Sequence, residues 1–226
     1  MSTLIIERLG VILGIDKIAK YLLSLKQKTI LIAVDGRSGT GKSTFAKYFA
    51  NELKQYKIKT DIIQTDNFYQ KQKVARSNID GYAYGYFWEK LREQVILPLK
   101  NNKAAEFKLS DWTTGKVFGQ RKVEANQMII IEGVISTYKE IADLFDLKIW
   151  LGCQKEARIK RIVNRGDFPE EELKNWQIIE DDYVSGQNKL DNANIIIDTS
   201  TDYENGKKYI YKFRKLKLPD VSSLAD

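Results

Sequence analysis

The sequence predicts an α/β fold built on a mainly parallel sheet with helices on both faces. Three observations predict it. Short apolar runs rich in branched side chains recur along the chain, at 29–34, 59–65, 128–131, 147–151 and 193–198. Segments of helical periodicity separate most of them. The length, 226 residues of which 43% are hydrophobic, suits one core of this kind.

In chain order, Leu4, Ile5, Leu9, Ile12 and Leu13, then Ile15, Ile18, Ala19, Leu22 and Leu23, recur at helical spacing. Asp16 between them reads as a cap separating two short helices. The continuous run Thr29–Val34 reads as a strand buried on both faces. After a glycine-rich stretch, Phe45, Ala46, Phe49, Ala50 and Leu53 form one face of a helix. Lys59–Thr65 is a second strand, and 67–85 a long polar and aromatic loop. Tyr86–Leu99 is helical with Pro98 near its end, and Glu106–Glu124 holds short β pieces around Gly115 and Gly119, a hairpin. Met128–Ile131 is another buried strand, Ile141–Phe145 a short helix and Leu147–Leu151 a strand. Lys155–Arg165 is a basic helix, and Glu170–Gln187 starts with acids that favour a helix N-terminus. Ala193–Asp198 closes the series as the last strand.

Composition excludes several chemistries. There is no histidine, which removes histidine general bases, Ser-His-Asp hydrolysis and HExxH zinc sites. The one cysteine, Cys153, can form neither an internal disulfide nor a cysteine metal cluster, and it fits a reducing cytoplasm. The N-terminal segment lacks a basic n-region and a small-residue cleavage site, and no apolar run is long enough for a membrane span, so a soluble cytoplasmic protein is expected. The net charge of +7 admits nucleic acid, a Lys-rich proteome or phosphate-bearing ligands as explanations. Much of it lies in Lys207, Lys208, Lys212, Arg214, Lys215 and Lys217, which read as a solvated basic tail, so nucleic acid is not the expected partner.

The chemistry is concentrated in Gly36-Arg37-Ser38-Gly39-Thr40-Gly41-Lys42-Ser43-Thr44, a complete GxxxxGK[ST] motif between a strand and a helix. Glycines let the backbone curl so that several N–H groups face one anion, and the helix start adds its positive end. Lys42 reaches the β- and γ-phosphates, while the Ser43 hydroxyl serves magnesium. The fold expectation sharpens to a P-loop NTPase three-layer sandwich with a small β-hairpin and lid lobe. ATP and Mg2+ are the expected cofactors. In such sheets the ligand crevice lies at the carboxyl ends of the strands. Asp66 and Glu132 sit there: one suits deprotonation of an acceptor hydroxyl, the other the magnesium shell. Asp35, beside Gly36, either joins the chemistry or stabilises the loop, and Asp80 is a further acceptor-side candidate.

These residues resemble a known family. Asp66-Asn67-Phe68-Tyr69 resembles the D-S-F-Y of uridine kinases, Asn78-Ile79-Asp80 the N-F-D that follows, and Ile131-Glu132-Gly133-Val134 the strand-end E-G-I/V. Leu144–Leu151 is similar to D-L-F-D-x-K-I-F-V, and Arg158-Ile159-Lys160-Arg161 with Asn164-Arg165-Gly166 resembles the R-x-x-R…R-G lid. The ordered set runs from about Thr29 to Asp198 and points to the uridine kinase-like group, which includes phosphoribulokinase and bacterial pantothenate kinase relatives. The resemblance implies Asp66 as base for a nucleoside 5′-hydroxyl, and Tyr69 and Asp80 as substrate contacts. It implies Glu132 in the magnesium shell, and Arg158, Arg161 and Arg165 as lid arginines against phosphate charge.

The resemblance breaks at the pyrimidine. The family's Tyr-Asp-Phe hairpin segment matches Ser110-Asp111-Trp112, and its base-reading His falls near Gly115. Trp112 and the tyrosines at 82, 84 and 86 can stack on a ring or pack. Trp176, Glu180 and Tyr183 share one helix face, which lines the acceptor side or packs. The expected arrangement is one domain over 1–226, with 1–28 a helical segment, 29–200 the kinase core and 201–226 a basic extension. The expected activity is transfer of the ATP γ-phosphate to a small-molecule hydroxyl, the 5′-hydroxyl of uridine or cytidine first. A pantothenate-like or sugar acceptor, or a nucleotide-dependent switch, are the alternatives, and a homo-oligomer is admissible.

Overall fold

The computed structural model describes residues 3–70, 83–111, 113–166, 169–187, 189–203 and 208–218. Its main sheet has six strands: β1 (Ile30–Gly36), β2 (Thr60–Gln64), β5 (Met128–Glu132), β6 (Leu147–Gly152), β7 (Ile195–Tyr203) and β8 (Lys208–Leu216). Their spatial order is β2-β5-β1-β6-β7-β8. β1 is paired parallel to β5 and β6, with Ile32 opposite Ile130 and Val34 opposite Ile149. The fully buried β1 carries Leu31 and Ala33 toward one apolar cluster, and Ile30, Ile32 and Val34 toward the other. A run apolar on both faces is what a central parallel strand requires.

Two layers cover the sheet. On one face, α1 (Thr3–Ser24) and α2 (Lys42–Leu53) contribute Ile18, Leu22, Phe45, Phe49 and Leu53 to the core. On the other lie α3 (Trp88–Leu91), a π-turn (Arg92–Ile96) and α4 (Leu97–Lys100), then α6 (Glu170–Gly186) and the short α7 (Lys189–Asn192). The π-turn precedes Pro98, which has no N–H to give, and the Leu97 N–H bonds back five residues to Arg92. β3 (Ala105–Ser110) and β4 (Val117–Val123) form a separate antiparallel hairpin, as the sequence predicts. α5 (Lys155–Arg165) follows β6.

Two expectations are corrected. α1 is one continuous helix through Asp16, which is no cap: its carboxylate pairs with Lys20 one turn on at 2.8 Å and accepts a hydrogen bond from Tyr56 at 3.1 Å. Nor is 193–198 the last strand, or the stretch beyond it a solvated tail. β7 extends to Tyr203, and β8 pairs antiparallel to it with Ile197 opposite Phe213. Tyr211 is buried against Phe45, ring centroids 5.2 Å apart, so this segment joins the core while its cations edge the sheet. Most of the 67–85 loop lies outside the described residues; 83–86 form a tight turn in which Ala83 and Tyr86 exchange backbone hydrogen bonds.

Candidate active site

The glycine-rich loop joins β1 to α2, and α2 begins at Lys42. Unpaired N–H groups of its first turn therefore belong to the loop mouth. Gly39 adopts φ 78°, and a Cβ there would lie 2.6 Å from the Arg158 carbonyl oxygen, so only glycine lets the loop pass under α5. Gly41 caps α2 in the left-handed region. Within the loop, the Thr40 hydroxyl and the Lys42 ammonium both donate to the Arg37 carbonyl, at 2.8 and 3.0 Å. Thr44 is exposed on the first turn of α2.

Glu132 ends β5 opposite Val34 of β1 and Gln64 of β2. It is 3% exposed and accepts a hydrogen bond from Gln64 Nε2 at 3.1 Å. Burial raises its pKa and nearby Asp66 adds to that, against the Lys42 charge and hydrogen bonds from Ser43 and Gln64, which lower it. Lys42, Ser43, Glu132 and Asp66 are thus one electrostatic neighbourhood. Gly133 makes the approach possible: at φ 143°, its missing Cβ would overlap Thr65 Oγ1 at 1.8 Å. Thr65 in turn donates to the Val134 carbonyl at 3.1 Å, tying the end of β2 to the end of β5.

Asp66 stands exposed on the turn Thr65–Phe68 that follows β2, and its Oδ1 accepts from the Tyr86 hydroxyl at 3.4 Å. Tyr69 is buried beside it, with ring centroids 4.7 Å from Tyr86 and 5.8 Å from Trp176. Burial first, then the charges of Asp66 and Glu172, push the Tyr69 hydroxyl up to about 12, so it stays a proton donor at neutral pH. Burial likewise pushes Tyr86 well above its ordinary value.

Two of the three arginines predicted for a lid, Arg158 and Arg161, lie against the loop backbone. Arg158 is 3% exposed; its Nη1 donates to the Ser38 carbonyl at 3.0 Å and pairs with Glu180 at 3.2 Å. Arg161 Nη1 donates to the Gly39 carbonyl and to Cys153 Sγ, each at 3.2 Å, and its Nη2 to the Thr199 carbonyl at 2.7 Å. Arg165 is exposed at the end of α5. Asp80 and Trp112 lie outside the described residues.

Sequence reasoning did not assign the scaffold beneath the loop. Glu180, buried in α6, accepts from the Ser38 N–H, Arg158 and Trp176 Nε1, while Trp176 Nε1 also donates to Ser38 Oγ at 2.8 Å. The Trp176–Glu180–Tyr183 face thus packs, and it packs on the loop. Asp35 is a loop stabiliser: its oxygens accept from the Gly36 N–H, the Thr137 N–H and hydroxyl, and the Tyr183 hydroxyl. The helical spacing of Trp176, Glu180 and Tyr183 was a visible signal; the identity of their partners was not.

A hydroxyl, a carboxylate and an ammonium at one mouth suit a magnesium–triphosphate: the donors are hard oxygens, and magnesium asks for only one or two carboxylates. Among the described residues there is no group of three or more metal-ligating acids, cysteines or histidines. No described helix is long and apolar enough to cross a membrane.

Comparison with known proteins gives a consistent picture. The sequence model of the Phosphoribulokinase / Uridine kinase family matches residues 31–204. A uridine kinase of Ligilactobacillus salivarius is 28% identical over 168 residues, 71% of this chain and 76% of that one. A uridine kinase of Ureaplasma parvum is 29% identical over 143 residues, 59% of this chain and 68% of that one. A solved structure from Bacillus stearothermophilus, described as a possible uridine kinase, superposes with a TM-score of 0.61 at 23% identity, covering 81% of this chain and 96% of the other. That last likeness supports the three-layer α/β fold with its mostly parallel sheet.

Proposed function

Because the chain belongs to the Phosphoribulokinase / Uridine kinase family, we propose that it is an ATP-dependent phosphotransferase acting on a small-molecule hydroxyl, with the 5′-hydroxyl of uridine or cytidine as the leading acceptor. The observation that carries this reading is the convergence of Lys42, Ser43, Glu132 and Asp66 at the ends of β1, β2 and β5.

In this reading the curled loop 36–44 holds the triphosphate through backbone N–H groups, and Lys42 turns from the Arg37 carbonyl to the β- and γ-phosphates. Ser43 and Glu132 hold magnesium, which spreads the phosphate charge when bound. Asp66 takes the proton of the acceptor hydroxyl. The freed oxygen attacks the γ-phosphorus, the bond to the β–γ bridging oxygen breaks, and ADP leaves. Tyr86 orients the Asp66 carboxylate, and Tyr69 and Asp80 meet the acceptor. Arg158 and Arg161 fix the carbonyl side of the loop so that its N–H side stays turned to phosphate, and Arg165 approaches the nucleotide from the end of α5.

A second reading keeps the chemistry and changes the acceptor to a pantothenate-like or sugar compound. It is favoured by the hairpin turn, where Asp111 is committed to its own backbone: Oδ1 accepts from the Thr113 and Thr114 N–H groups at 3.1 and 2.7 Å. The base-reading Tyr and His that the resemblance implies fall on either side of this turn, at Ser110 and near Gly115, and neither side chain is present there. ADP release measured with uridine, cytidine, pantothenate and a set of sugars separates the two. Stimulation by the pyrimidine nucleosides supports the first reading, and stimulation by another hydroxyl compound alone supports the second. ADP release that no acceptor alters refutes both.

A further inference from the structure

A second cluster of charge lies away from the loop mouth. On the face of the sheet covered by α6 and α7, a cavity of about 40 Å3 is lined by Lys139, Lys148, Lys189, Gln187, Asn192 and Asp35, among others. That is room for roughly three waters, or for one carboxylate or phosphate group.

The charge balance of this cavity is lopsided. Lys189 is 5% exposed, donates to the Thr137 carbonyl and rests over the Tyr183 ring, its Nζ 4.4 Å from the centroid. An ammonium has three N–H groups to place, and a buried charge is normally paired. Lys189 makes no ion pair among the described residues. The acid that faces it, Asp35, acts on it through charge alone, since its oxygens accept from Gly36, from Thr137 twice and from Tyr183. Among the described residues Lys148 pairs with Asp143 alone, at 3.8 Å, and that carboxylate is 98% exposed, where water screens the pair. Lys139 adds a third cation at the rim, mostly exposed beside Glu140 at 3.9 Å. Three lysines and one carboxylate, Asp35, thus line a partly apolar cavity, and the excess of cations focuses a positive potential on it.

We infer that this cavity binds a small oxyanion, the phosphate or carboxylate group of a ligand, with Lys189 and Lys148 as its cationic partners. The site is separate from the triphosphate cradle and independent of the activity proposed above. Through the Thr137–Asp35–Gly36 hydrogen bonds, an occupant stands one link from the base of the glycine-rich loop.

The test must exclude phosphate bound in the loop itself, so it is made in a Lys42→Ala background. Thermal unfolding is followed against increasing inorganic phosphate and, separately, malonate, at ionic strength held constant with sodium chloride. At ten times its dissociation constant an anion specific for the native state raises Tm by about 4 °C for a chain of this size. The expected result is a saturable rise with at least one of the two anions, and the anion that works identifies the group. The rise is lost when Lys148→Gln or Lys189→Met is added. Lys148→Gln, at the edge of the cavity, keeps the test decisive if the buried Lys189 variant does not fold. Absence of any rise with both anions overturns the inference, as does an undiminished rise in the Lys148→Gln protein.

Discussion

Replacing Glu180 tests the scaffold that holds the glycine-rich loop. Glu180 and Arg158 are 1% and 3% exposed, and their contact at 3.2 Å joins α6 to α5 across the loop. A Glu180→Leu change keeps bulk but leaves the Arg158 charge buried without its partner, a loss of about 3–5 kcal/mol. The Ser38 N–H also loses its acceptor, which adds about 1–3 kcal/mol. Trp176 retains Ser38 Oγ and adds little. At about 2–4 °C per kcal/mol for a chain of this length, Tm should fall by roughly 10–30 °C. Adding Arg158→Met removes the stranded charge, and buried ion pairs exchanged as a pair for apolar groups are often neutral or stabilising. The double variant should therefore regain part of the loss and be more stable than Glu180→Leu, the remainder being the Ser38 N–H without Glu180 and the Ser38 carbonyl without Arg158, each about 1–3 kcal/mol. Urea unfolding of the four proteins of the cycle measures this. A single variant within about 1 kcal/mol of wild type, or a double variant no more stable than Glu180→Leu, refutes the reasoning.

Two further outcomes follow from buried charge. Burial raises the Glu132 pKa, so its contribution to stability is full below its ordinary value and is lost as pH rises through the folded value. Glu132→Gln should thus be more stable than wild type at pH 7, an advantage that shrinks toward pH 4, while acceptor-dependent turnover falls about 10²–10³-fold; a destabilised variant that keeps its turnover contradicts this. Lys189 is lowered to about 8, by burial first, with Asp35 opposing and Lys148 adding to the effect. Its folded value lies below its ordinary one, so stability is gained as pH rises above 8. Asp35, Tyr183, Lys148 and Lys139 are the titratable groups around it. Relative to Lys189→Met, wild type should gain up to about 1.4 kcal/mol per pH unit between pH 8 and 10; urea midpoints whose difference stays constant over that range contradict the burial of this charge.

The half of the fold that carries the loop is legible in the sequence because its signals are local. Thr29–Val34, the glycines and the apolar face of α2 follow one another without a break, and each states its own geometry. The hairpin at 105–123 and the helix at 155–165 were legible for the same reason. β8 was obscured by composition. In Lys208–Leu216 the aromatics Tyr209, Tyr211 and Phe213 recur at every second position, with Lys208, Ile210, Lys212 and Arg214 between them, a period of two that marks an edge strand, yet the charge count pulls the reading toward a tail. Asp16 misled because an acid inside a helix and an acid at its cap look alike until Lys20 and Tyr56 are placed.

In the candidate site, Lys42, Ser43, Asp66 and Glu132 could be named because each sits at a strand end or in a motif. Arg158 could not be placed. Its burial depends on Glu180, 22 residues further on and on another helix, and no local pattern encodes that pairing. The same holds for Tyr86, brought to Asp66 by the turn at 83–86, and for Tyr183, whose hydroxyl meets Asp35 from the far end of the chain.

The claim on which the account rests is that Asp66 receives the acceptor's proton across the mouth of the loop. Its most direct test is single-turnover phosphoryl transfer by Asp66→Asn, with the best acceptor and saturating magnesium–ATP, beside a nucleotide titration of the same protein. The account predicts a fall of about 10²–10⁴-fold in transfer with unchanged nucleotide affinity. Transfer within a few-fold of wild type contradicts it.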